Sequence, residues 1–318
     1  PVDVGRRRRR CVRRLIGSEQ GHGNSVGRTP SITGRAAPAG RRSAGSDPGR
    51  PGTRDVGAVG NDRDMAAEFF HTDEFRGATF RQMDFRGAVF HACRMGGVRV
   101  IGSDVEELNI SVFSGDRAAI VVEDVDVSGY VSDELDRRFP ERRGVRTAQS
   151  VAELAAVLDT LDRLWADTRA RAERLPEPVR NERVDGEWSF VETLRHLVFA
   201  IDVWIGRMLP ETAAPFHPLG LPPTDYPAEQ LSELGLDAAA RPPYDEVVAA
   251  FTRQLGATRA AVLALSPAEL DRIRTGVPAP AWGEESYPGR ACVRIVLKEM
   301  CEHRRYAVRD LAVLETRS

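Results

Sequence analysis

Phenylalanine recurs at every fifth position from residue 70, as Phe70, Phe75, Phe80, Phe85 and Phe90, and Met95, Val100, Val105 and Ile110 continue in register. A helix returns a side chain to one face every three to four residues and a strand every two, so a period of five fits neither. It points instead to a repeat architecture, in which each unit buries its side chains only against neighbouring units. The residue two before several centres is small, as at Ala78, Ala88, Cys93 and Ser103. Ile120, Val125 and Tyr130 keep the register, although VVEDVDVSGYV also alternates in the manner of paired strands.

From Val145 the period becomes helical. Ser150 with Glu153, Ser189 with Glu192 and Ser266 with Glu269 each spell the S-x-x-E capping box, the last with Pro267 at the first helical position. Long amphipathic segments are predicted over 150–174, 189–209, 244–265 and 290–315, enough for a four-helix bundle. The connection from Pro210 to Pro243 runs 34 residues and includes PFHPLGLPP, and another carries VPAPAWGEESYPG. Long Pro-rich connections in a compact bundle are more often site walls than idle linkers.

Charge divides the chain differently. Residues 1–64 hold 14 Arg and 6 acids, net +8, which leaves 31 basic and 41 acidic residues, net −10, for the rest. This Gly/Pro/Ser/Arg stretch has no apolar period, so a disordered tail is expected. Met65 directly precedes the first patterned segment, as it would if a translation start had been placed too far upstream. The expected organisation is therefore α+β and multidomain: tail 1–64, repeat 65–130, linker 131–148 and helical bundle 149–318. The opening RRRRRCVRR has no apolar run behind it, and no apolar stretch approaches the roughly 20 residues that span a bilayer, so a cytoplasmic setting without membrane contact is expected. Cys11, Cys93, Cys292 and Cys301 show no paired spacing and are expected as reduced thiols. Only Lys298 among the 45 basic residues is lysine, which with abundant Ala, Gly and Arg suggests a GC-rich bacterial genome.

The chemistry-bearing residues lie in the helical region. Glu299 and His303 are four apart on the last helix and share a face that includes the apolar stripe of Val296, Met300, Ala307, Leu311 and Leu314. His196 sits among Leu194, Leu197, Val198, Ala200 and Ile201 on the second. If the two helices face each other, two imidazoles and a carboxylate converge, a donor set suited to Zn²⁺ and also to Fe²⁺, Mn²⁺ or Ni²⁺. On spacing alone, a helix-surface hydrogen bond or a satisfied core histidine is the favoured reading of the pair. Trp188, His217, Trp282, Tyr287 and Tyr306 are candidate substrate-side residues. Asp202 reads as a surface or helix-pairing charge, and Arg195, Arg304 and Arg305 as a solvated face or anion binders.

Two family resemblances bear on these patterns. The stretch Phe70–Phe90 resembles the pentapeptide-repeat family, which implies a short right-handed β-helix with its centres and small residues turned inward, of roughly three turns. WSFVETLRHLVFAID (Trp188–Asp202) and LKEMCEHRRYAVRDL (Leu297–Leu311) resemble the DinB-like four-helix-bundle superfamily, over about 149–315. The usual triad there is a histidine on the second helix and a His-x-x-x-His pair on the last. His196 matches the first ligand and His303, followed by Arg304, the last. The middle position is Glu299, as in the mycothiol-dependent maleylpyruvate isomerases. The resemblance implies a metal-dependent enzyme with Zn²⁺ as the first candidate ion, a small-molecule substrate, mycothiol as a candidate co-substrate and an actinobacterial host. A homodimer is a candidate assembly. The competing reading is a non-catalytic docking protein built on the repeat; mimicry of duplex DNA needs a long acidic rod, and Arg76, Arg81, Arg86 and Arg94 argue against it. A nucleic-acid role for the basic tail is disfavoured by its lack of interleaved aromatics.

Overall fold

The computed structural model describes residues 69, 72–91, 93–105, 108–110, 119–224 and 226–317. The tail expected over 1–64 lies outside them. The described residues divide into two compact units, one ending at Val98 and the other beginning at Arg99.

In the first unit the five-residue period appears in the backbone. Positive φ falls at Gly77, Gln82, Gly87 and Gly97, each two residues past a centre, and the period continues at Gly102 in the second unit. Ala78, Ala88 and Val98 donate to the carbonyls of Phe75, Phe85 and Met95, closing a turn every ten residues. Successive phenylalanine rings touch, with centroids 5.9 Å apart for Phe75–Phe80, 5.4 Å for Phe80–Phe85 and 6.3 Å for Phe85–Phe90. The β-helix expected here is not formed: the described residues of 69–110 contain turns but no strand, and Phe80 remains 51% exposed. The flat sides of a coil become strands only when a coil above and below pairs with them, and so short a stretch offers few such neighbours. Its corners close by local hydrogen bonds that need no neighbour.

The second unit continues with β1 (Val121–Val122) and β2 (Val125–Asp126), a minimal hairpin whose turn puts Glu123 and Asp124 at φ 48° and 61°. Ser128 then opens α1 (Ser128–Arg138), so Tyr130, the last position in the repeat register, is helical. The stretch 131–148, expected as a linker, is instead mostly helix, with α2 at Glu141–Thr147. The reason is buried charge pairing. Asp136 takes Arg142 at 3.3 Å and Arg146 at 2.8 Å, Arg142 also pairs with Glu302, and Arg304 donates to Glu141 at 2.9 Å. Gly144 lets α2 lie close on the next helix; a Cβ there would stand 2.9 Å from Val157 Cγ2.

Four long helices follow: α3 (Val151–Ala172), α5 (Phe190–Ile201), α6 (Tyr244–Leu263) and α8 (Gly289–Arg317). Each touches two others in the cycle α3–α8–α5–α6, a four-sided bundle. Short α4 (Glu177–Arg180) and α7 (Pro267–Asp271) join them. All three capping boxes form, each serine accepting from the glutamate backbone N–H while the glutamate returns to the serine N–H. The predicted stripe of Leu154, Leu158, Leu161 and Trp165 is buried to 2% exposure or less, and Trp165 packs on Phe190 and Phe251. The hairpin of β3 (Ile273–Gly276) and β4 (Glu285–Pro288) leads straight into α8. Gly289 is required at that junction, since a Cβ would lie 2.4 Å from the Glu269 carbonyl oxygen. No helix among the described residues is long and apolar enough to cross a membrane.

Candidate metal centre

Every residue of α5 from Phe190 to Ile201 is buried, so His196 is held in a helix with no solvent face. Beyond Ile201 the helix widens into a π-helical turn, Asp202–Met208, a local feature frequent at functional sites. The His196 ring Nδ1 lies 3.0 Å from the Leu221 carbonyl oxygen. A carbonyl only accepts, so Nδ1 carries the proton and Nε2 is left with its lone pair. That Nε2 stands 3.6 Å from Glu299 Oε2, and His303 Nε2 stands 3.1 Å from the same oxygen.

One ligand atom each from His196, Glu299 and His303 therefore gathers within 4.8 Å, with the side chains only 9%, 17% and 12% exposed. Donors about 2 Å from a common tetrahedral ion stand roughly 3.3 Å apart, so both carboxylate–imidazole separations fit a shared metal. Burial raises the Glu299 carboxyl, but the two imidazoles set against its Oε2 outweigh it and hold the group well below the usual carboxylate range. Burial drives the His196 imidazole down, with His303 adding to the effect, against the opposing pull of Glu299 and the Leu221 carbonyl. An ionised oxygen beside a neutral nitrogen is the protonation state a metal requires of these groups.

Trp188 roofs both imidazoles, its ring centroid 4.4 Å from His196 and 5.6 Å from His303. Tyr306 packs one turn on, 6.4 Å from His303, with the Arg305 and Arg309 guanidiniums over its ring at 4.3 and 5.2 Å. Trp282 reaches the site only through Phe199, to which it packs at 6.1 Å; Phe199 is in turn 6.4 Å from His196. Tyr287 packs on Trp204, away from these contacts. His217 is not part of the ligand cluster: its backbone N–H donates to Asp202 at 2.7 Å, and its Nδ1 accepts from the Leu219 N–H.

Two arginines play different parts from those their sequence context suggests. Arg195 is 1% exposed, neither a solvated face nor an anion binder, and all its side-chain hydrogen bonds run to carbonyls of the loop 210–243. Arg304 is used up between helices, donating to the Leu164 carbonyl, Thr168 and Glu141. Asp202 is the helix-pairing charge of its two readings and not the surface one: it accepts from Gln254 on α6 and from the His217 N–H, and burial pushes its carboxyl up to about 6. The Leu221 carbonyl that orients His196 has no signature in the sequence; only the long Pro-rich connection hinted that a wall forms there. Cys292 and Cys301 are buried, and burial pushes both thiols up to about 12, which leaves no thiolate at neutral pH.

Residues 160–307 match the family model of the DinB superfamily, and the matched span contains all three residues of the cluster. No curated protein and no solved structure gave a match.

Proposed function

We propose that the helical domain is a divalent-metal-dependent enzyme in which His196, Glu299 and His303 hold the ion, with Zn²⁺ first and Ni²⁺, Mn²⁺ or Fe²⁺ acceptable to the same donors. The observation that carries this is the convergence of three donor atoms within 4.8 Å, with both imidazoles directed at one oxygen of Glu299. When bound, such an ion supplies a Lewis acid and lowers the pKa of a water or thiol that reaches it. The Leu221 carbonyl keeps His196 in the Nδ1–H form, and Trp188 covers the imidazoles and limits the entry of water.

The reaction is a thiol-linked transfer or isomerisation of a small molecule, with the thiol brought from outside. Two considerations favour this over a simple hydrolase. By resemblance, Glu299 stands where the mycothiol-dependent maleylpyruvate isomerases also have glutamate, and neither Cys292 nor Cys301 can serve as the nucleophile. A cytoplasmic setting, where mycothiol is made, belongs to the same reading. Metal analysis on protein purified without a histidine tag should find about one divalent ion per chain, lost in His196→Ala and in His303→Ala. Background metal in the wild type and both variants alike would overturn the reading.

A further inference from the structure

The loop 210–243 follows the π-helical turn after α5 and returns over that helix, and a single buried side chain gathers it. Arg195 Nε donates to the Leu219 carbonyl at 3.0 Å, Nη1 to Ala240 at 2.7 Å, and Nη2 to Asp237 at 2.6 Å and Gly220 at 3.4 Å. These carbonyls come from two stretches of the loop, 219–220 and 237–240, so one guanidinium clasps both. The backbone of the same residue completes the clasp, its carbonyl accepting from the Leu221 N–H at 3.1 Å. The neighbouring residue in the chain is His196, and the other polar group of Leu221, its carbonyl, is the one on His196 Nδ1.

We propose that Arg195 is a positioning residue for the metal centre: by clasping the loop it sets the Leu221 carbonyl on His196 Nδ1, which fixes the tautomer and aims Nε2 at Glu299. The proposal rests on the metal-binding reading above. A buried cation is costly to retain, and a loop of this length could satisfy its carbonyls in water if it only had to connect two helices. Lysine cannot replace the fork, since an ammonium presents three donors from one point and cannot span carbonyls from two stretches. Gly220 gives independent access to the same geometry. A Cβ there would stand 3.1 Å from the His217 carbonyl oxygen and 3.4 Å from Phe199 Cβ, displacing the loop while Arg195 stays in place.

The test uses the full chain and Zn²⁺ in competition with a colorimetric chelator, together with ¹⁵N imidazole spectra of the metal-free protein. Arg195→Lys and Gly220→Ala should each weaken Zn²⁺ binding by about 10- to 100-fold, the usual cost of losing the partner behind a ligating histidine. His196 should pass from the Nδ1–H form to a mixture of tautomers. Leu154→Ala, a core change of comparable destabilisation on α3, should leave affinity within about threefold of wild type and the tautomer intact. Wild-type affinity and tautomer in both Arg195→Lys and Gly220→Ala would overturn the proposal, as would an equal loss in Leu154→Ala. If Arg195→Lys does not fold, Gly220→Ala decides. A wild type that binds no Zn²⁺ would defeat the metal reading, while the metal-free spectra still test the clasp.

Discussion

The indole Nε1 of Trp165 donates to the Met300 carbonyl across 3.0 Å in the buried seam between α3 and α8, one residue from Glu299. The indole thus packs against Phe190 and Phe251 and also ties α3 to the middle of the helix that supplies two of the three donor residues.

Trp165→Phe keeps an aromatic ring there but loses the donor and leaves part of the indole volume empty. The expected cost is about 2–3 kcal/mol, one part from the hydrogen bond and the rest from the cavity. Urea unfolding should show a lower midpoint with an unchanged slope. A midpoint equal to wild type would show that the seam does not depend on this side chain.

The starts of α3, α5 and α7 were legible in the sequence because their causes are local, a capping box within one turn at each, whereas α1 and α2, held by charge pairs to distant residues, were read as a linker. The convergence of His196 with Glu299 and His303 was legible only as a condition, that α5 and α8 face each other. What fastens the site was hidden for a physical reason. Arg195 acts through carbonyls 24 to 45 residues away, and carbonyls have no residue identity. The repeat misled in the opposite direction. Its period of five was real in the backbone at Gly77, Gln82 and Gly87, but strands require neighbouring coils, and periodicity does not count them.

Asp202 gives a pH dependence with a definite sign. Its carboxyl is pushed to about 6 in the fold against an ordinary 3.8, so between those values the folded state keeps a proton that the unfolded chain has released. Stability from this group therefore falls as pH rises through the window, and above it the deficit is complete. Asp202→Asn removes the ionisation. The new amide can still accept from the His217 N–H, and its N–H can meet Gln254 Oε1, which is buried without a partner, once the Gln254 amide turns over. Relative to wild type the variant should gain stability from about pH 4 to pH 6 and then hold the gain, at most about 3 kcal/mol. Parallel stability curves for the two proteins across that range would contradict the assignment.

Gly289 marks the least tolerant backbone position of the β4–α8 junction. Gly289→Ala sets a methyl against the Glu269 carbonyl, and a backbone oxygen at 2.4 Å cannot swing aside as a side chain end could. The Gly289 N–H also donates to the Arg272 carbonyl at 3.0 Å, so displacing the residue costs that bond as well. Destabilisation of about 1–3 kcal/mol is expected from the overpacking, read from thermal or denaturant unfolding. Gly256, on the exposed side of α6 with nothing within 4 Å of an added methyl, is the matched control and should gain slightly on Gly256→Ala.

The thiol requirement separates the two reaction classes. A carboxylate in place of a third imidazole lowers the charge of the metal centre by one unit, which weakens its hold on an anionic thiolate. Weak hold suits a diffusible thiol that must exchange at each turnover, whereas hydrolysis gains more from a stronger Lewis acid. Cys292 and Cys301, with thiols pushed to about 12, cannot take the role themselves. Mycothiol should therefore raise the melting temperature of the metal-loaded protein, and of that form alone, by the linkage expected of a native-state ligand. The same titration on Glu299→Ala should show no such rise, because one of the three residues that hold the ion is gone. Identical curves for the two proteins would reject the thiol mechanism, and turnover of simple esters or amides without thiol would favour the hydrolase.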